Sequence, residues 1–181
     1  MLYHGSSAGG LTELKPFLSE HGKPYIYFAS NPVVALFYTV HAVERPYNWF
    51  PYGFKNGIPV YNEYYPDALA DVYKGKTGFL YEFESINGAE NPTGINCACV
   101  CEKPVPVERV IEIPDVFEAL VECEKHGQLI IERYENLNAE QKSGIEKMIK
   151  SEIESCDLNS NPDCSYTKFL KSRFPNLFSA L

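Results

Sequence analysis

The sequence predicts an α+β fold, with strands dominating the first part of the chain and helices the rest. Three observations carry this reading. Up to about residue 113 the apolar residues alternate or form short aromatic and β-branched runs bounded by Gly and Pro. Beyond Pro114 they recur at helical spacing, as in Ile145, Met148, Ile149 and Ile153. The 181 residues are 45% hydrophobic and 22% charged, with 13 Tyr, 11 Phe and 1 Trp, and that aromatic content excludes a disordered chain.

The elements follow in order. Met1–His4 reads as a short strand ending in a Gly-Ser-Ser turn. Leu11–Phe17 has the spacing of a short helical turn stopped near Pro16. Gly22-Lys23-Pro24 is a turn, and Tyr25–Ala29 a buried strand. A helix over Val33–Val43 is expected, with Ser30 or Asn31 as N-cap and Pro32 at its first position. Residues 45–65 fit neither period. They hold Tyr47, Trp49, Phe50, Tyr52, Phe54, Tyr61, Tyr64 and Tyr65 and read as a long aromatic loop. A short helix over Pro66–Tyr73 and a strand over Gly78–Ile86 come next, then strands over Ile95–Cys101 and Val105–Ile113. Pro114-Asp115 opens a helix to about Lys125. Leu129–Tyr134 is ambiguous. Helices over Asn138–Ser155 and Ser165–Arg173 and an apolar tail, Phe174–Leu181, complete the chain.

A formal net charge of −8 argues against a dedicated nucleic-acid binder, which usually carries a basic patch. No run of 18 apolar residues suggests a membrane span, and Met1 leads into Leu-Tyr-His-Gly-Ser without a basic or apolar leader. The expected compartment is the cytoplasm. Cys97, Cys99 and Cys101 alternate, so a strand would turn all three to one face. That spacing makes a poor zinc chelate, and small buried apolar residues are expected instead. His21, His41 and His126 have no partner at metal spacing, so no metal site is expected. No phosphate loop or dinucleotide fingerprint occurs, and Ser6 and Ser7 lack a hydrolase elbow.

The informative feature is a combination. His4-Gly5-Ser6 closes the first strand, and Gly22-Lys23-Pro24-Tyr25-Ile26-Tyr27-Phe28-Ala29-Ser30 follows some twenty residues on. Tyr38 comes eleven residues after Tyr27, and Glu102 lies at the start of a late strand, in Cys-Val-Cys-Glu-Lys-Pro-Val. Over residues 1 to about 113 this resembles the ADP-ribosyltransferase superfamily, on its poly(ADP-ribose) polymerase-like branch with a His-Tyr-Glu triad. The resemblance implies a split β-sheet core over 1–113, with 114–181 as a helical C-terminal extension packed on it.

It also implies that NAD is bound as substrate and nicotinamide released. His4 would bond the adenosine-side ribose, and Gly5 would hold the nicotinamide carboxamide through its backbone. Tyr27 and Tyr38 would sandwich the ring, and Glu102 would stabilise the charge that develops on the nicotinamide ribose. Ser6 belongs to the same first motif. The family's serine three residues before the second tyrosine is Ala35 here, so Ser30 or a loop would have to supply that contact. Glu82 and Glu84 compete with Glu102 for the acidic role. The aromatic loop at 45–65 takes the place of a lid or acceptor surface.

The physical chemistry is consistent with these roles. Aromatic faces stack on a flat cationic ring, and a fixed carboxylate favours charge developing at the anomeric carbon. The acceptor stays open among protein, nucleic acid and small molecule. Two other functions compete: an inactive NAD- or ADP-ribose-binding module, and an RNA 2′-phosphotransferase-like enzyme. The latter family relies on several site arginines, for which Arg45 and Arg109 are the candidates here.

Overall fold

A computed structural model describes residues 1–18, 22–41, 52–92 and 94–178. His21, Arg45, Tyr47, Trp49 and Phe50 lie outside the described residues. The protein is mixed α+β, built mainly on antiparallel pairing, with a helical C-terminal region. Its contacts divide into two units, Met1–Val40 with Tyr73–Leu129, and His41–Val72 with Ile130–Leu181. Each unit is discontinuous in sequence, whereas the sequence reading divides the chain once, after residue 113.

The first unit holds the longer sheet. Its path runs β10 (Arg109–Ile113), β7 (Gly78–Phe83), β1 (Leu2–Ser6), β4 (Pro24–Ala29) and β3 (Phe17–Leu18), and β8 (Ala98–Cys101) also pairs with β4. The β1–β7 ladder is continuous from Leu2–Phe83 to Ser6–Phe79, all antiparallel. By contrast, β1 and β4 share one pair, Tyr3–Ala29. Strand alternation puts Leu2, His4 and Ser6 on one face of β1 and Tyr3 and Gly5 on the other. The His4 face carries a core of Leu14, Ile26, Phe28, Tyr81, Phe83 and Cys101. Helix α1 (Pro32–Phe37) covers the Gly5 face and meets α3 (Val116–Lys125).

Local chemistry explains where these elements begin and end. Asn31 caps α1 by accepting the Val33 N–H at 2.9 Å, and Pro32 fills the first turn, where no N–H is needed. The helix is shorter than expected. It stops at Phe37, and Tyr38 is its C-cap rather than a third-turn residue. Thr39 then turns its hydroxyl back to the Leu36 carbonyl at 2.7 Å and packs, fully buried, over Gly78. Asp115 caps α3 as its position before the apolar run suggests, accepting the Glu118 N–H at 3.2 Å.

Two segments differ from the sequence reading through long-range pairing. Leu11–Phe17 is not a helical turn. It contains β2 (Glu13–Leu14), paired with β9 (Val105–Pro106), and leads into β3, paired with β4. Partners about ninety residues away override a local spacing that looks helical. The strand expected over Val105–Ile113 is likewise divided between β9 and β10, which pair with different strands.

In the second unit, part of the expected aromatic loop is a hairpin. Strand β5 (Tyr52–Lys55) turns into β6 (Ile58–Asn62) at Asn56-Gly57, whose φ angles are 52° and 81°. Two positive φ values in a two-residue turn suit the right-handed twist of a hairpin, and Asn-Gly is its strongest local signal. The ambiguous segment supplies β11 (Ile130–Glu132), which joins β6 in parallel, and then a 3₁₀ turn at Tyr134–Asn136. Tyr61 and Tyr65 are buried. Tyr65 joins Ala68 of α2 (Ala68–Tyr73) in a core with Ile149 and Ile153 of α4 (Ala139–Ser155). Tyr166 and Leu170 of α5 (Ser165–Arg173) complete it, and Phe178 of α6 (Pro175–Phe178) packs against it. Helix α4 starts with a reciprocal capping box between Asn138 and Gln141.

Glu63 holds this second unit together. It is 3% exposed, yet its carboxylate accepts the N–H of Leu69 at 3.0 Å and of Tyr134 at 3.3 Å. The buried carboxyl group is therefore met by main-chain donors, one at the start of α2 and one in the 3₁₀ turn. Arg173 reaches Asp71 with its Nε at 3.2 Å and lies over the Phe169 ring at 4.5 Å.

Candidate functional site

His4, Gly5, Ser6, Tyr27, Ser30, Tyr38 and Glu102 all belong to the first unit. His4 leaves β1 on the core face, its ring centroid 5.9 Å from Phe28 and 6.3 Å from Tyr81. Its Nδ1 lies 2.8 Å from the main-chain carbonyl oxygen of Tyr27. A carbonyl only accepts, so Nδ1 carries the hydrogen and donates. Burial lowers the His4 pKa from its ordinary value of 6.5, against the smaller upward effect of the bond to Tyr27. The neutral ring then has its lone pair on Nε2, which is an acceptor for a hydroxyl.

Gly5 meets α1 closely. A Cβ at this position would lie 2.0 Å from the Ala35 carbonyl oxygen and 3.1 Å from the Thr39 nitrogen. Only glycine allows the helix that approach. The same Ala35 carbonyl accepts the Tyr38 N–H at 3.1 Å, so one helical carbonyl joins Gly5 to the Tyr38 backbone. Tyr38 is 43% exposed. Ala35 itself is buried and brings no hydroxyl to the site.

Tyr27 is half-buried on β4. Its ring stands 6.1 Å from Tyr25 in an edge-on arrangement and 5.9 Å from the exposed ring of Phe17. Phe17, read from the sequence as part of a helical turn, is thus the aromatic neighbour that local reasoning misses. It arrives because β3 pairs it with Tyr25, diagonal to Tyr27.

Glu102 sits at a bend just beyond β8. The β4–β8 ladder pairs Tyr27 with Val100 and Ile26 with Cys101. Glu102 follows immediately after the last of these pairs. Glu102 is exposed, and its Oε1 lies 3.7 Å from the Lys23 ammonium. Lys23, read as a turn residue, is the other neighbour the sequence does not disclose.

The competing carboxylates have different settings. Glu82 is 8% exposed and in register with Tyr3 and Arg109. Its Oε2 lies 3.2 Å from the Arg109 Nε without accepting a hydrogen bond. Glu84 lies past the end of β7 and donates its N–H to the Glu108 carboxylate at 2.9 Å.

One serine is tied locally and the other to a distant segment. Ser6 Oγ accepts the Ala8 N–H at 3.1 Å, and the exposed Ser30 gives its own N–H to the Cys97 carbonyl at 2.8 Å. The structure therefore joins His4 to Tyr27 and Glu102 to Lys23, and it sets Gly5 against the Ala35 carbonyl that accepts the Tyr38 N–H. Ser6 is held at the end of β1 by Ala8, and Ser30 is held beyond β4 by Cys97.

Two of the three alternating thiols settle against the core, while Cys97 precedes β8 and is half-buried outside it. Cys101 is buried and Cys99 packs beside it, and burial pushes the Cys99 thiol up. Among the described residues no group of three His, Cys, Asp or Glu side chains is placed to hold a metal. No described helix is long and apolar enough to cross a membrane. The second unit has an open concavity of about 440 Å³ lined by Tyr65, from the expected aromatic loop, and by Pro66, Asp67, Asp71, Ser172 and Arg173. No protein-family model, curated protein or solved structure matches the chain.

Proposed function

We propose that the protein is an NAD-dependent ADP-ribosyltransferase that moves ADP-ribose to an acceptor and releases nicotinamide. The observation that carries this reading is the bond from His4 Nδ1 to the Tyr27 carbonyl. It links the first two motif residues directly and leaves a neutral imidazole with Nε2 free of a proton, the form that accepts a ribose hydroxyl. The single-pair β1–β4 ladder supports a split sheet, because the two strands carrying His4 and Tyr27 pair only at Tyr3–Ala29. Gly5 supports it too, since its missing side chain admits the carbonyl that also receives the Tyr38 N–H.

The reaction would break the bond between the nicotinamide nitrogen and ribose C1. The electron pair leaves with neutral nicotinamide, and C1 carries positive charge in the transition state. Glu102 stabilises that charge electrostatically. A lone pair of the acceptor forms the new bond to C1, and the acceptor's proton passes to solvent. Tyr27 and Tyr38 supply aromatic surface for the departing ring.

The test is nicotinamide release from NAD by the purified protein and by Glu102→Gln. The expected result is turnover in the wild type and its loss in the variant, with NAD binding retained. Undiminished turnover by Glu102→Gln would remove Glu102 from the mechanism. A second reading, an NAD-binding module without catalysis, draws on Ala35, which is buried where the family's serine would bond the carboxamide. Calorimetry showing NAD binding without nicotinamide release would favour it.

A further inference from the structure

We infer that Lys23 is a positioning residue for Glu102, an inference that rests on the transferase reading above. Glu102 lies at a bend beyond the last β4–β8 pair, so no ladder bond fixes its backbone, and its side chain is exposed. A carboxylate so placed samples several rotamers, and only some would face a sugar held near Tyr27. Lys23 supplies a restraint. It immediately precedes Pro24, which is paired with Leu18, so its backbone is anchored where β4 begins. Its ammonium lies 3.7 Å from Glu102 Oε1.

Alternation along β4 turns Tyr25 and Tyr27 to one face, and Lys23 stands at the bend just before the strand. Glu102 follows Cys101, the partner of Ile26, so it leaves β8 near the start of β4, where Lys23 stands. Lys23 thus holds the carboxylate near the start of β4. It engages one oxygen and leaves the other for substrate. The pairing joins the Gly22-Lys23-Pro24 turn to the Glu102-Lys103-Pro104 turn, two segments that look like punctuation in the sequence.

An exposed ion pair has a modest effect, and the expected changes are correspondingly small. Lys23→Gln is expected to lower kcat about three- to fivefold with KM for NAD unchanged. Lys23→Arg, which keeps the charge, should recover most of the loss. Raising the ionic strength should lower wild-type kcat towards that of Lys23→Gln, whose own kcat should respond little.

An unchanged kcat in Lys23→Gln overturns the inference. So does a raised KM at constant kcat, which would make Lys23 a contact to the dinucleotide itself. Failure of Lys23→Arg to recover activity overturns it as well. Failure of the underlying reading looks different. The wild type would release no nicotinamide, or Glu102→Gln would turn over like the wild type, and either result appears before any Lys23 variant is measured.

Discussion

The imidazole of His4 donates from Nδ1 to the main-chain carbonyl of Tyr27 across 2.8 Å. This bond spans β1 and β4 beyond their only ladder pair, Tyr3–Ala29. A side chain here reaches across to a main-chain carbonyl of β4. The cost is a half-buried ring held neutral by desolvation.

That arrangement makes stability depend on pH with a definite sign. Burial depresses the folded-state pKa of His4 below the ordinary 6.5. Above 6.5 both folded and unfolded forms are neutral and the stabilisation is complete. As pH falls below 6.5, the unfolded chain takes up a proton that the folded chain resists, and stability is lost down to the folded pKa. Urea unfolding across this range should show a steeper loss in the wild type than in His4→Gln. Equal slopes would contradict the neutral, donating imidazole.

Gly5→Ala should destabilise the first unit. The new methyl would stand 2.0 Å from a helical carbonyl oxygen, which is main chain and cannot turn aside. Overpacking of this kind costs about 1–3 kcal/mol or more. Chemical denaturation should report a lower midpoint, and the crystal structure of a surviving variant should show α1 shifted from β1.

Glu63→Gln should destabilise the second unit by about 2–3 kcal/mol. The carboxamide turns one acceptor into a donor that faces a main-chain N–H, of either Leu69 or Tyr134. Hydrogen exchange should then accelerate at the start of α2 and in the 134–136 turn. Protection unchanged from the wild type would show that Glu63 is dispensable to both.

Tyr27→Phe and Tyr27→Ala separate the ring from its hydroxyl. If the face of Tyr27 receives nicotinamide, the Phe variant should retain NAD affinity within about twofold. The Ala variant should lose about five- to tenfold, the scale of one aromatic contact. Calorimetry measures both. Equal affinity in all three proteins would take Tyr27 out of the binding surface.

Much of the local structure is legible in the chain. Asn31 with Pro32, Asp115, and Asn138 with Gln141 mark helix starts through donors that the first turn cannot satisfy internally. Tyr25–Ala29 reads as a strand from its residue types alone. Asn56-Gly57 is a hairpin signal that the surrounding tyrosines obscure. The candidate residues His4, Gly5, Tyr27, Tyr38 and Glu102 are likewise visible as types at a spacing.

Their partners are not legible. Nothing near His4 in sequence names the Tyr27 carbonyl, and nothing near Gly5 names the Ala35 carbonyl. The sequence by itself determined the α+β class and most helix starts, because caps, turn residues and apolar period act within a few positions. Tertiary structure alone decided that Leu14 and Phe17 are strand residues, that α1 ends at Phe37, that Phe17 stands beside Tyr27, and that Lys23 meets Glu102. Those outcomes depend on strand register and helix approach between distant segments. There the energy of pairing and burial outweighs local preference.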